Sequence, residues 1–323
     1  MELDIVVHSI SEKIGRHKPS LKWSFSFAHA KCDRSCTKNC KYRRFIRCIF
    51  CLVVLEINFF GTRGSRHVSG GPFDYGRDTS CVGVREVGSS IWTIFDLGSG
   101  LNNFAEKLSG NVVADFLLSH YHFDHLQGLP FFYPMDRSDS KVRIFAPNIG
   151  GDPLGQLFAP PFFPVSPFAF RGDISKSYIE DGQEIELLSG GSVEAFEVAH
   201  TDTEFGYRLT LGGRRICYVP DHQEPYGEMA LRGKVLEMID GCDLLIHDAQ
   251  YNASDFATKA HWGHSTYDFA AELAEQGSVK RLALFHHDPS RNDDEINREL
   301  KHLKENHPDL EICAAHQGED LFI

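Results

Sequence analysis

The sequence predicts an α/β fold in which two β-sheets are sandwiched between layers of helices. From residue 55 onward, apolar runs short enough for strands alternate with amphipathic stretches long enough for helices. Several of these apolar runs end in a histidine or an aspartate, a placement that collects polar side chains at one edge of a sheet. Together these observations indicate an αββα sandwich with a functional site at the strand ends.

Residues 1–54 differ from the rest of the chain in charge and in cysteine content. Residues 1–55 contain eleven Lys or Arg and four Asp or Glu, whereas the remainder contains 22 and 41. Five of the nine cysteines crowd into residues 32–51, where only Cys48 and Cys51 have the two-residue spacing of common zinc motifs. We interpret this stretch as a poorly ordered basic extension or as sequence translated from an early start. A small zinc-binding appendage is the alternative, and the folded domain is predicted to comprise residues 55–323.

The predicted elements follow one another in the order of a two-sheet fold. An alternating run at 55–60 forms the first strand, and a glycine-rich loop at 61–76 follows it. A turn at 88–89 joins the next two strands, and a tight turn at 96–100 leads into a helix. The apolar run 116–118 then ends a strand. Further strands are expected at 82–84, 91–95, 142–145, 193–198, 205–211, 214–219, 244–246, 281–285 and 311–314, and helices at 101–108, 228–239, 265–276 and 293–306.

Residues 156–170 are too rich in proline for a helix or an inner strand. The stretch also contains five phenylalanines, so a stiff aromatic loop is expected. A lid, a wall for stacking bases and a subunit contact are three interpretations of this loop, and the last makes a homodimer plausible. Packing of the loop on the surface of its own domain is the fourth.

The stretch 119–128 concentrates ligand-type side chains within a few positions. His120 and His122 follow an apolar strand and fall on the same side of an extended segment, because side chains alternate with period two. Asp124 and His125 come one step later, where the sequence can open a helix. Imidazole and carboxylate together are the ligand set of zinc and its first-row neighbours. The pattern therefore predicts a metal site rather than a surface histidine cluster.

The pattern His120-x-His122-x-Asp124-His125 resembles that of the metallo-β-lactamase-fold hydrolases. Three further phrases narrow the resemblance: Phe-Gly-Thr-Arg-Gly-Ser at 60–65, Thr-Ser-Cys-Val at 79–82 and Asp-Leu-Gly-Ser-Gly at 96–100. They are similar to the branch that contains ribonuclease Z-like enzymes and cyclic-nucleotide phosphodiesterases. The resemblance runs from about residue 55 to the C-terminus and leaves the N-terminal extension uncovered.

The resemblance implies a binuclear centre with ligands from distant parts of the chain. His200, Asp221 and His286 each directly follow an apolar strand, which is where further ligands are needed. Two divalent metals are implied, zinc foremost, and the ligand types also suit manganese or iron. The ligands implied are His120, His122 and His200 for one metal, Asp124, His125 and His286 for the other, and Asp221 as the bridge.

The resemblance also implies catalytic and substrate-binding residues around the metals. His264, in the phrase Gly-His-Ser-Thr at 263–266, is expected to contact the scissile phosphate and donate a proton, with Asp248 orienting it. Asp96 is expected to orient a metal-binding histidine, the alternative being a cap of its own turn. A helix-cap neighbour without a catalytic part is the alternative for His264. The predicted catalytic residues are Asp124, Asp221 and His264, and the predicted substrate contacts are Arg63, Ser80 and His264.

The predicted function is that of a binuclear metal-dependent phosphodiesterase that acts on a small phosphodiester such as a cyclic nucleotide. A lactonase- or thioesterase-type hydrolase shares the metal motif and is the first alternative; tRNA 3′ processing is the second. A metal-binding or redox-sensing protein without catalysis is an alternative from a different class. The intact set of ligand-type residues disfavours the last of these.

Charge and cysteine usage bear on partners and compartment. A body with 41 acidic and 22 basic residues is a poor host for a long polyanion such as tRNA, so a small anionic substrate is favoured. The cysteines outside the extension stand singly in apolar surroundings and suggest buried free thiols in a reducing cytoplasm. The longest apolar run, 48–55, is too short to span a bilayer, so no membrane partner is expected.

Overall fold

Two seven-stranded sheets organise the part of the chain that this computed structural model describes, residues 53–71, 73–224 and 232–323. The first sheet has the strand order β14-β1-β2-β3-β4-β5-β6, antiparallel as far as β3 and parallel beyond it. Its strands are β1 Leu55–Gly61, β2 Cys81–Glu86, β3 Ile91–Phe95, β4 Val113–Leu117, β5 Lys141–Pro147, β6 Asp173–Ile179 and β14 Asp320–Phe322.

The second sheet repeats this arrangement with the order β13-β12-β11-β10-β9-β8-β7. Strands β7 to β10 pair antiparallel, and β10 to β13 pair parallel. Its strands are β7 Glu184–Glu186, β8 Ser192–Val198, β9 Glu204–Leu211, β10 Arg214–Val219, β11 Leu244–Asp248, β12 Arg281–Phe285 and β13 Glu311–Ala314.

Helices cover the outer faces of both sheets. The longest, α7, begins with a capping box in which Asn292 and Glu295 exchange side-chain and backbone hydrogen bonds. None of the helices in the described ranges is long and apolar enough to cross a bilayer. The α-helices are α1 Leu101–Lys107, α2 Phe123–Leu126, α3 Pro153–Leu157, α4 Arg232–Ile239, α5 Ala253–Lys259, α6 Tyr267–Gln276 and α7 Asp293–Asn306.

The alternation of side chains along each central strand explains why the sheets are buried on both faces. In β11, Leu244 and Ile246 enter the core between the two sheets, whereas Leu245 packs outward against α6 and α7. A third cluster fills the space between the first sheet and α1, where Phe132 packs against both Phe104 and Phe116. Each fully buried side chain of this size contributes about 1.5–3 kcal/mol. The predicted αββα sandwich is therefore confirmed.

Three strands and two helices, α3 and α5, were missing from the sequence-based expectation. Strand β6 alternates between exposed and half-buried residues at an edge of its sheet, so it lacks the apolar run that marks an inner strand. Strands β7 and β14 have three residues each, too few for a periodic signal. Helix α5 buries none of its residues completely. The prediction for residues 1–52 and the first residues of the predicted helix at 228–239 lie outside the described ranges.

The loop at 156–170 packs partly on its own domain. Phe158 is buried in the cluster beside α1, and Phe163 packs between Phe158 and Phe131, with ring centroids 6.1 and 5.6 Å away. Phe162 is 76% exposed. The fourth of the interpretations given above thus describes most of this loop, and the homodimer stays a prediction.

Candidate metal centre and active site

The candidate site lies where strands of both sheets end. His120 stands three residues beyond β4, and α2 begins at Phe123, so that Asp124 and His125 sit in its first turn. Three more ligand-type residues lie just beyond the ends of strands in the second sheet. They are His200 after β8, Asp221 after β10 and His286 after β12.

The structure brings all seven predicted ligand residues together as two groups joined by Asp221. One group consists of His120, His122, His200 and Asp221, whose ligand-type atoms lie within 4.8 Å of one another. The other consists of Asp124, His125 and His286. Folding therefore brings Asp124 and His286 into contact across 162 positions of sequence, with 3.3 Å between Oδ2 and Nε2.

Asp221 presents one carboxylate oxygen to each group. Its Oδ1 lies 3.3 Å from Nε2 of His125 and 3.2 Å from Nε2 of His286. Its Oδ2 lies 3.7 Å from Nε2 of His120 and 3.8 Å from Nε2 of His200. This geometry is what a bridging carboxylate requires.

Several polar atoms at the centre lack hydrogen-bond partners or face atoms of the same kind, and a divalent cation would satisfy them. Nε2 of His120 and Oδ1 of Asp221 are buried and form no hydrogen bond with any described residue. Nε2 of His125 and Nε2 of His286 face each other at 3.2 Å. Buried polar groups are normally satisfied, and metal-ligating nitrogens and oxygens are a recognised exception. The donor set of imidazole and carboxylate suits zinc or a neighbouring first-row metal.

Carboxylates and carbonyls behind the histidines hold the rings in place. Oδ2 of Asp96 lies 2.7 Å from Nδ1 of His125, and Nδ1 of His200 lies 2.7 Å from the carbonyl oxygen of Gly263. His122 is the exception, because it is half-exposed and its Nε2 faces the exposed Asp202 at 3.7 Å. Its Nδ1 points inward, 3.4 Å from Nε2 of His200.

Backbone strain accumulates at the same place. His286 and Asp96 both have a φ of 57°, in the left-handed region that non-glycine residues seldom adopt. Gly64 approaches so closely that a Cβ there would lie 2.5 Å from the His286 ring. Gly263 combines a φ of 91° with a similar approach to His200. The strained conformations persist because the surrounding strands determine them.

Neighbouring groups of the centre have pKa values that are shifted in opposite directions. Burial lowers the pKa of His125, but the carboxylates of Asp221, Asp124 and Asp96 outweigh burial and raise that pKa well above its ordinary range. Burial and the surrounding imidazoles lower the pKa of His120. The imidazoles around Asp221 hold its pKa well below the ordinary range despite its burial.

His264 forms a third group of ligand-type residues with Asp221 and His286, and it is also held by a carboxylate of its own. Its Nδ1 lies 3.1 Å from Oδ2 of Asp248 and 3.8 Å from Oδ2 of Asp221. The His264 ring centroid is 5.0 Å from that of His286. Burial lowers the pKa of His264, and Asp248 and Asp221 more than offset this and raise it. The expected contact between Asp248 and His264 is thus present.

Arg63 and Ser80, the predicted substrate contacts, are both buried in the fold. The Arg63 side chain is 0% exposed, and its guanidinium donates to the carbonyl oxygens of Gly76, Asp288 and Arg291. It ties the glycine-rich loop to the chain beyond β12. Ser80 is likewise fully buried. Neither side chain offers a surface to a ligand, because tertiary contacts cover what an isolated loop would expose.

His287 and His222 each adjoin a predicted ligand in the sequence but have partners of their own in the fold. His287 turns away from the centre and donates from Nε2 to the carbonyl oxygen of Ala315 at 3.1 Å. Burial lowers its pKa to about 3, so it is neutral. Nδ1 of His222 lies 2.9 Å from Nε2 of His247. His286, rather than His287, was predicted as a ligand because it directly follows the apolar run. The residue type alone could not separate the two histidines.

Glu204 is a residue of the centre that sequence reasoning missed. It is fully buried at the start of β9, its Oε1 accepts the backbone N–H of Asp221 at 3.1 Å, and burial with the nearby Asp221 raises its pKa. One available signal was a glutamate opening an otherwise apolar strand only four residues after His200. A buried strand rarely begins with an acidic residue unless that residue has a partner.

Comparison with known proteins identifies the family of this chain. The model of the beta-lactamase superfamily domain matches residues 100–287, more than half of the chain and the segment that carries all seven of these residues. The chain belongs to the beta-lactamase superfamily. Within the superfamily, the chain is similar to ribonuclease Z of Natronomonas pharaonis, with 25% identity over 283 residues that cover 72% of this chain and 86% of that protein.

Two solved structures of similar fold extend the comparison. Unliganded yeast PDE1 matches with a TM-score of 0.65 and 16% identity, covering 84% of this chain and 100% of that one. A diphosphatase of the PhnP family matches with a TM-score of 0.63 and 20% identity, covering 84% and 97%. The predicted class of the chain, a metal-dependent hydrolase of the ribonuclease Z-like branch, is confirmed.

Proposed function

We propose that this superfamily member hydrolyses a small phosphodiester, such as a cyclic nucleotide, with two divalent metal ions, zinc foremost. The observation that carries the proposal is the place of His264 beside the two ligand groups. A carboxylate holds this imidazole within 3.8 Å of Asp221, although His264 belongs to neither of the predicted ligand sets. Such a group assists hydrolysis of a phosphodiester with a poor leaving group, as in a cyclic nucleotide, because the leaving oxygen then takes up a proton.

Each of the seven clustered residues has a role in this proposal. His120, His122 and His200 would hold one cation, and Asp124, His125 and His286 would hold the other, with Asp221 contributing to both groups. Bound divalent metals would supply Lewis acidity at the phosphoryl oxygens and lower the pKa of an attacking water. Asp124 is further fixed because its Oδ2 accepts the backbone N–H of Ser65 at 2.7 Å.

His264 is the proposed proton donor, acting from Nε2. Its Nδ1 faces Asp248, so the opposite ring nitrogen is the one that can reach the substrate. Oδ2 of Asp248 also accepts the backbone N–H of His222 and of Ser265, both at 3.1 Å. A carboxylate with three partners keeps a fixed orientation, and it transmits that orientation to the His264 ring.

Cleavage of precursor tRNA is the second candidate, because the similar curated relative is named ribonuclease Z and aligns over 86% of its length. That name supports hydrolysis of phosphodiester bonds and weighs against the earlier preference for substrates other than long nucleic acids. Acidic residues outnumber basic residues within positions 56–323, which supports a small substrate because tRNA binding depends on Lys and Arg.

A reducing cytoplasm remains the proposed compartment of the protein.

A substrate panel on one metal-loaded preparation tests the proposal. It comprises bis-(p-nitrophenyl) phosphate, 2′,3′- and 3′,5′-cyclic mononucleotides, a precursor tRNA, a lactone, a thioester and nitrocefin. We expect turnover of the phosphodiesters and the highest kcat/KM on a cyclic mononucleotide. The highest kcat/KM on precursor tRNA would establish the second candidate, and turnover confined to the lactone, thioester or nitrocefin would overturn both.

A further inference from the structure

The two ligand groups differ in the negative charge that their own side chains supply. The group of Asp124, His125 and His286 contains a carboxylate in addition to the shared Asp221. The group of His120, His122 and His200 contains three imidazoles, which are neutral as metal ligands. A cation in the second group would therefore meet less negative charge, unless another residue supplies it.

Glu204 lies directly behind that second group. A single oxygen, Oε2, is 3.6 Å from Nδ1 of His120 and 3.7 Å from Nδ1 of His200. The other oxygen, Oε1, accepts the backbone N–H of Asp221. Glu204 thus contacts three of the four residues of the group from the side opposite to their ligand-type atoms.

Apart from the backbone N–H of Asp221, the Glu204 carboxylate has no hydrogen-bond donor among the described residues. Its Oε2 forms no hydrogen bond within the described residues, and no Lys or Arg of those residues pairs with it. The nearby Nδ1 atoms have closer partners of their own, the hydroxyl of Ser119 at 3.0 Å and the carbonyl of Gly263 at 2.7 Å. An unpaired buried carboxylate is costly and tends to take up a proton, so Glu204 stays ionised only if a positive charge lies nearby, as a cation bound by this group would provide.

We propose that Glu204 is a positioning residue of the metal centre, whose buried carboxylate supplies the negative charge that the group of His120, His122 and His200 lacks. The proposal rests on the ligand sets of the proposed function. Glu204 touches no substrate, and it acts through the imidazoles and the backbone of Asp221. Loss of its charge weakens metal binding in this one group and leaves the group of Asp124, His125 and His286 intact.

The test is a chelator competition titration of zinc-loaded protein in the absence of any phosphodiester. Wild type is expected to bind two equivalents, and Glu204→Gln to lose about 10–100-fold in affinity for one of them. Glu204→Asp, which keeps the charge, is expected to recover part of this loss. Glu56→Gln is the matched control, because it also neutralises a buried glutamate, one that pairs with Arg85 and Lys107 away from the centre.

Three outcomes overturn the proposal. The first is a Glu204→Gln protein that binds both equivalents within about threefold of wild type, well short of the effect expected for such residues. The second is an equal loss at both equivalents together with a lower Tm of the metal-free variant, which indicates a purely structural role. The third is a wild type that binds no zinc, which also removes the ligand sets. Tight binding of two equivalents without phosphodiester turnover would overturn only the proposed function.

Discussion

Oδ2 of Asp96 lies 2.7 Å from Nδ1 of His125, on the side of the imidazole away from the metal centre. The same oxygen accepts hydrogen bonds from the hydroxyls of Tyr218 and Ser119, at 2.8 and 3.0 Å. This contact leaves Nε2 of His125 facing Asp221. Asp96→Asn is therefore expected to lower metal affinity about 10–100-fold, as measured by chelator competition.

Tyr218→Phe serves as the control for Asp96→Asn. It removes one hydrogen bond to the same oxygen but keeps the carboxylate behind His125. We expect it to cost about 1.5–3 kcal/mol of stability and to leave metal affinity nearly unchanged. Equal loss of affinity in both variants would show that packing around Asp96, and not its charge, sets the affinity.

His264→Ala is expected to lower kcat according to the leaving group of the substrate. A general acid contributes about 100- to 10,000-fold when the leaving oxygen is a poor one, as in a cyclic nucleotide. A nitrophenolate needs little protonation, so the loss on bis-(p-nitrophenyl) phosphate should be much smaller. His261→Ala is the control, because His261 is exposed three positions earlier.

Metal analysis of the same His264→Ala protein separates two roles. Unchanged metal content with a leaving-group-dependent loss of kcat is the expected result. Loss of a metal equivalent would instead assign His264 to the ligands. Its position close to Asp221 and His286 makes this second role geometrically possible.

Arg63→Met is expected to destabilise the fold without raising KM selectively. The buried guanidinium makes three hydrogen bonds to backbone carbonyls, and losing charged bonds costs roughly 1.5–3 kcal/mol each. Urea unfolding measures the loss. Arg66→Met, in an exposed position of the same loop, should leave the unfolding free energy unchanged. A higher KM with normal stability would instead support the predicted substrate contact of Arg63.

Asp78 gives the stability of the loop at 61–78 a dependence on pH. Burial alone would raise its pKa, but hydrogen bonds from Asn103, Ser99 and Gln317 outweigh burial and hold that pKa below its ordinary value of 3.8. A depressed pKa stabilises the folded state above the unfolded pKa and loses that effect as pH falls through the folded pKa. Wild type should therefore exceed Asp78→Asn in unfolding free energy above about pH 4, by a margin that shrinks at lower pH.

Urea unfolding of both proteins between neutral and acidic pH checks this prediction. The hydrogen bonds to Asp78 lie away from the predicted metal ligands, so the comparison can be made on metal-free protein. A margin that stays constant with pH would show that the carboxylate titrates alike in the folded and unfolded states.

The sequence by itself determined the repeating elements and the residues that end them. Period-two alternation placed His120 and His122 on one side of the chain, and His200, Asp221 and His286 were found because each follows an apolar strand. These are local signals, readable in a single window. The edge strand β6 and the short strands β7 and β14 carry no such signal, since sheet pairing rather than composition defines them.

Only the tertiary structure decided which polar side chains share the centre and which are covered. Arg63 looked available in a glycine-rich loop, yet the chain beyond β12 folds over it and accepts two of its three hydrogen bonds. Glu204 looked like an ordinary charged residue, yet pairing of β9 with β8 and β10 buries it behind His120. Burial and contact distance depend on segments far apart in sequence, so no local pattern encodes them.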